Sequence, residues 1–129
     1  MHDQLARASV GRAGEYLALS RISRAGHECT LVNNNADDAY IKTTNNLLLT
    51  LQIKTAGFIP LNYKSYSFHT RNLSKQKRSD IWAFVALDIE KIFFCRGDDL
   101  SIKSGHTRLR PTMFLNEKTL MEEVFNSFF

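Results

Sequence analysis

Residues 38–55, DAYIKTTNNLLLTLQIKT, decide how the chain is to be read. Residues 38–43 have the composition of a strand, and 44–46, TNN, that of a tight hairpin turn. Residues 47–55, LLLTLQIKT, are nearly all apolar until their end, as expected of a central strand covered on both faces. Side chains two apart on a strand share a face, so Gln52 and Lys54 point one way and Ile53 the other. Closing the hairpin brings Asp38 close to Gln52. A carboxylate, an amide and an ammonium then meet at a sheet edge, an oxygen-rich setting suited to Mg²⁺ and its waters. Each residue also has an ordinary reading, Asp38 as a turn residue and the polar strand end as wet surface. Strand alternation places Asp37, a competing ligand, on the other face.

Working outward, Asp3 is expected to cap a helix running to about residue 25. Its apolar stripe is Ala6, Val10, Ala13 and Leu17, and Gly26 is its left-handed stop. A strand is expected over 27–32, followed by a polar loop, Asn33-Asn34-Asn35. Beyond the hairpin, Gly57 and Pro60 break the pattern, and 66–70 alternates as a short strand before a basic connection over 72–79. Residues 81–87, IWAFVAL, and 91–95, KIFFC, form a second hairpin around Asp88-Ile89-Glu90. A helical turn at 98–100 and an amphipathic helix over 117–128, with Leu120, Val124 and Phe128 on one side, complete the chain. The order predicts an α/β fold, a mixed sheet flanked by an N-terminal and a C-terminal helix.

With 129 residues, the chain suits one domain, 1–129, with a core that needs no disulfide. A hydrophobic share of 43% against 23% charged excludes the disordered class. Cys29 and Cys95 are too few for a zinc site or a disulfide framework, which points to a reducing compartment. No signal segment opens the chain, and no stretch reaches the roughly 18 apolar residues of a membrane span, so a cytoplasmic protein is expected. The net charge is +4, yet no Asp or Glu occurs between Ala39 and Ser79. That window holds Lys42, Lys54, Lys64, Arg71, Lys75, Lys77 and Arg78, a one-signed surface suited to a polyanion or simply a solvated basic face.

The segments GRAGEYLA (11–18), ADDAYI (36–41) and LTLQIKTAG (49–57) together resemble the PD-(D/E)XK nuclease superfamily. That pattern is a helix with Gly-x-x-Gly-Glu, an Asp opening a hairpin, and an acid-x-Lys on the next strand. Gln52 replaces the usual acid, as in the branch that resembles the cyanobacterial group I intron homing endonuclease. YSFHTRN (66–72) and DIWAFVALDIEKIFF (80–94) are similar to that branch as well, so the likeness spans residues 11 to 96. The resemblance implies a restriction-endonuclease-like core and a Mg²⁺ site, with Mn²⁺ as a substitute. Glu15, Asp38 and Gln52 would be its metal ligands, and Lys54 would orient or activate the attacking water. Without the resemblance, Glu15 is one more helix-surface carboxylate.

The implied activity is hydrolysis of DNA phosphodiester bonds by a homing, junction-resolving or repair-like endonuclease. Lys64, Arg71, Lys75, Lys77 and Arg78, interleaved with Tyr63, Tyr66 and Phe68, would hold the DNA backbone beside the site. One site cuts one strand, so a double-strand break calls for a homodimer or larger assembly. Phe114, Phe125, Phe128 and Phe129 would supply either its interface or the core. Two rival classes stand beside this one. A DNA-binding module on a nuclease fold would have lost catalysis with Gln52, and an unrelated α/β interaction protein would owe nothing to the resemblance.

Overall fold

The computed structural model describes residues 3–32, 37–70, 79–100 and 105–129, with side chains from Ala6 onward. The elements run α1 (Asp3–Arg24), β1 (Glu28–Leu31), β2 (Ala39–Lys42), β3 (Leu48–Ala56), β4 (Tyr66–His69), β5 (Ile81–Ala86), β6 (Lys91–Arg96), β7 (His106–Leu109) and α2 (Glu117–Asn126). The expected loop at 33–35 and nearly all of the basic connection over 72–79 lie outside the described residues. Asp3 opens α1 as a helical residue rather than a cap flanking it. The helix ends as anticipated. Gly26 has φ +100°, Gly26 N donates to Ser23 O, and His27 N donates to Ile22 O, the paired bonds of a Schellman stop.

Five strands form a mixed sheet in the order β1-β2-β3-β5-β6. β2 and β3 pair antiparallel, Ala39 opposite Leu51, through a turn in which Thr43 N donates to Leu47 O and Asn46 takes φ 67°. β5 runs parallel to β3, Gln52 opposite Trp82, and antiparallel to β6. A mixed α/β sheet flanked by helices is therefore what the chain builds.

Both helices pack on one sheet face. Ala18 and Ile22 of α1 and Met121, Val124 and Phe125 of α2 share a core with Leu49, Leu51, Ile53, Ala83 and Phe94. The buried stripe of α1 is Gly14, Ala18 and Ile22, whereas Ala6 and Ala13 of the expected stripe are exposed. Gly14 turns the helix, because its missing Cβ lets α1 approach β3 until a methyl there would overlap the Thr55 side chain. α2 ends at Asn126, two residues short of the expected end; Met121 and Phe125 join Val124 in the core, while Leu120 and, just past the helix, Phe128 are half-buried.

The other face is covered by β4 and β7, a two-stranded antiparallel ribbon with His69 opposite His106. Tyr66, Phe68, Leu109 and Phe114 pack there on Trp82, Phe84 and Ala86. Phe68 meets Phe84 edge to face at 5.0 Å, and burying such a ring contributes about 1.5–3 kcal/mol. β7 is not announced by the sequence, because its four residues, HTRL, lack an apolar alternation. The expectation that β3 is covered on both faces needs correction. The ribbon stops short of its start, leaving Leu48 71% exposed, and the doubly covered strand is β5, buried throughout.

Candidate functional site

Asp38 sits one residue before β2, where the β2–β3 ladder ends. Its backbone continues the pairing a step further, Asp38 N donating to Leu51 O and Asp38 O accepting from Val32 N. The ladder offers Ile53 N no partner on that side, and the Asp38 side chain takes its place. Oδ2 accepts from Ile53 N at 2.7 Å and from Gln52 Nε2 at 3.0 Å. A charge-assisted bond to the backbone fixes the carboxylate against the strand.

Two half-buried carboxylates define the electrostatics. Burial pushes the Asp38 carboxyl above its ordinary value. The hydrogen bond from Ile53 and the Lys54 ammonium oppose this shift, and the charge of Asp37 adds to it. Burial also raises Glu15, the Asp38 charge raises it further, and the Arg12 guanidinium, its Nε 3.6 Å from Glu15 Oε1, pulls it down. α1 thus brings Glu15 into the field of Asp38, and the close approach at Gly14 is what allows it.

These donors fit a hard divalent cation. Glu15 and Asp38 supply carboxylate oxygens whose mutual repulsion such an ion would relieve. Among the described residues, no three His, Cys, Asp or Glu side chains converge as a metal cluster, so further positions would fall to an amide, the backbone or water. Gln52 turns its nitrogen toward Asp38, so in this arrangement it orients that carboxylate through N–H donation. A half-turn of the terminal amide would exchange nitrogen for oxygen.

Glu15 and Lys54 line a cavity of about 750 Å³, together with Arg7, Phe58, Leu87 and Asp88. Asp38 and Gln52 are not part of its wall. Asp88, a turn residue by its sequence, also belongs to this wall. Its Oδ1 accepts from Tyr66 Oη at 2.7 Å, and no local pattern announces its place in the cavity. Asp37 is engaged elsewhere, its Oδ1 accepting from Ser79 Oγ at 2.5 Å. Asp80 secures the neighbouring strand, since Thr50 N and Oγ1 both donate to its Oδ2.

Of the expected DNA-contacting residues, Lys64 is exposed just before β4, and Arg71, Lys75, Lys77 and Arg78 lie outside the described residues. The aromatic interleaving needs correction. Tyr66 and Phe68 are 1% and 2% exposed and belong to the core beneath the ribbon, which leaves Tyr63 at the surface. Phe114 and Phe125 are core residues too, while Phe129 is exposed. Burial pushes the Cys29 thiol up to about 11 and the Cys95 thiol up to about 12, which disfavours the thiolate of each at neutral pH. No helix among the described residues is long and apolar enough to cross a membrane.

No protein-family model matches the sequence, and neither does any curated protein. Among solved structures, the bacterial homing endonuclease I-Ssp6803I superposes with a TM-score of 0.71, covering 91% of this chain and 90% of that one. At 13% identity, this likeness shows that the two chains share a fold.

Proposed function

We propose that the chain is a Mg²⁺-dependent DNA endonuclease of the PD-(D/E)XK type, active also with Mn²⁺, in which Asp38 is the central residue. The observation that supports this reading is Asp38 held by Gln52 and by the backbone of Ile53 at the open end of a ladder, with the charges of Lys54 and Glu15 acting in its neighbourhood. The fold shared with a homing endonuclease supports the same reading.

In this function, Glu15 and Asp38 hold the metal, and Gln52 either completes the ligand set through its oxygen or orients Asp38 through its nitrogen. The bound ion supplies Lewis acidity to the phosphoryl oxygen and to water. Lys54, whose charge opposes the upward shift that burial gives the Asp38 carboxyl, carries the positive charge that orients the attacking water and steadies the phosphorane-like transition state. Lys64, with Arg71, Lys75, Lys77 and Arg78, holds the DNA backbone, and a second copy of the chain provides the second cut.

The test is incubation of the purified protein with plasmid, branched and single-stranded DNA, with and without Mg²⁺ or Mn²⁺. Metal-dependent nicking is expected. Salt-sensitive DNA binding without nicking under any of these conditions would replace the enzyme by a DNA-binding module. Absence of both would return the chain to the unrelated α/β class.

A further inference from the structure

The segment between β3 and β4 presents three large apolar side chains to solvent within six residues. Phe58 is 69% exposed, Leu61 86% and Tyr63 62%. Single exposed apolar residues are ordinary on a protein surface, but a cluster of them marks a contact surface. The cluster is held in place. Ile59 packs into the core beneath the ribbon, and Tyr63 N donates to Pro60 O at 3.0 Å. Asn62 takes φ 70°, which suits the third position of a type II turn and leaves Leu61 at the apex. Phe58, at the base of the turn, lines the cavity that holds Glu15 and Lys54.

Basic side chains border this turn. Lys64 follows it directly, and Lys54 and Arg7 line the adjoining cavity, whose wall also carries the carboxylates of Glu15 and Asp88. The sequence from Ala39 to Ser79, which includes the turn, contains no acid. An apolar tip with basic side chains beside it complements a molecule with a charged outside and an apolar, stacked inside. Duplex DNA has that make-up, and apolar wedges driven between base steps unstack and kink it. We propose that the turn at residues 58–63 is such a wedge. Leu61 and Tyr63 enter a base step next to the scissile phosphate, so the preferred substrate is DNA with a weakly stacked or unpaired base at that point. This rests on the endonuclease reading of the adjoining site and adds to it the class of DNA taken.

The experiment uses the full chain and two oligonucleotide duplexes, one fully paired and one with a central unpaired base flanked by 2-aminopurine. Binding is followed by 2-aminopurine fluorescence with Ca²⁺ in place of Mg²⁺, and cutting is measured with Mg²⁺. The wild type is expected to raise the fluorescence and to bind and cut the interrupted duplex in preference. Leu61→Ala/Tyr63→Ala, both at exposed positions, should lose the fluorescence rise and the preference. The loss of one to three kcal/mol per stacked base corresponds to roughly 5- to 150-fold weaker binding of that duplex. The salt dependence of binding should stay the same, because no charge is removed.

If the wild type binds and cuts DNA but the double variant matches it in fluorescence and preference, the wedge is wrong and the nuclease stands. If the variant changes only the oligomeric state, measured by light scattering, the turn is a contact between copies and the wedge is wrong. If the wild type neither binds nor cuts either duplex, the endonuclease reading falls and the wedge falls with it.

Discussion

Asp38 and Glu15 carry charges that the fold makes costly, and this has consequences with a definite sign. Both carboxyls lie above their ordinary values in the folded chain, chiefly through burial. A carboxyl raised on folding contributes stability below its unfolded value, and that contribution is lost as pH rises through the folded value. Without metal, the wild type should therefore lose stability as pH climbs through that window, and Asp38→Asn should lose less. Its amide oxygen can still accept from Ile53 N, so thermal melts in a chelator report the charge rather than a lost bond. Added Mg²⁺ should stabilise the wild type and leave Asp38→Asn unmoved, and its affinity should fall away at a pH above the ordinary glutamate value of 4.5. Gln52→Glu removes the donor to Asp38 and sets two carboxylates face to face. It should lower the melting temperature without metal and tighten Mg²⁺ binding, followed by the fluorescence of Trp82, which pairs with position 52. A melting temperature that rises in chelator would mean that Gln52 is not held against Asp38. Lys54→Ala should reduce nicking by about 10²-fold or more, the usual contribution of a positioned proton-transfer or electrostatic group, with DNA affinity largely kept. Normal cutting with weakened binding would assign Lys54 to phosphate positioning.

At the scale of elements, the meeting of α1 with β3 matters most, because it sets the distance between Glu15 and Asp38. Any side chain at position 14 collides with Thr55, which belongs to a nine-residue strand and is held there by its parallel pairing with β5, opposite Val85. Gly14→Ala should therefore destabilise the protein by about 1–3 kcal/mol, as overpacking does, and should weaken Mg²⁺ binding by pushing the helix away. Denaturant unfolding and a metal titration read the two effects separately. Gly14→Ala combined with Thr55→Ala, which removes Oγ1 and Cγ2 but keeps the Thr55 Cβ, should recover part of both. At Gly11 a Cβ meets nothing within 4 Å, so Gly11→Ala serves as the control and should leave Mg²⁺ affinity unchanged. The far end of α1 is tied independently. Arg21 Nη1 pairs with Glu117 Oε2 at 2.5 Å, and Ile92 N donates to Glu117 Oε1, so one carboxylate joins α1, β6 and α2.

The whole molecule contributes a charge asymmetry that no single contact expresses. The absence of acids between Ala39 and Ser79 places seven lysines and arginines in one stretch of chain that includes the third strand and both flanks of the ribbon's first strand. Each phosphate contact contributes roughly −0.9 to the log–log salt slope on duplex DNA. Neutralising Lys64 and Arg71 together should flatten that slope by about two units if both contact phosphate, as measured by binding isotherms over a range of salt. An unchanged slope would place the DNA on another surface.

Much of this organisation is legible in the linear chain wherever the deciding interactions are short in range. The hairpin of β2 and β3 is set by a turn and a period of two, so the proximity of Asp38 to Gln52, fourteen residues on, follows from counting. The end of α1 at Gly26 is likewise a matter of one backbone conformation. What the tertiary structure decided is which surfaces are covered. Alternation in residues 66–70 indicates a strand, but only the pairing with β7, some forty residues away, buries Tyr66 and Phe68 and removes them from any role at the surface. The exposure of Leu48, the entry of Glu15 into the field of Asp38 and the place of Asp88 in the cavity have the same origin. Local pattern encodes period and turn, whereas burial and electrostatic neighbourhood depend on partners that arrive only when the chain packs.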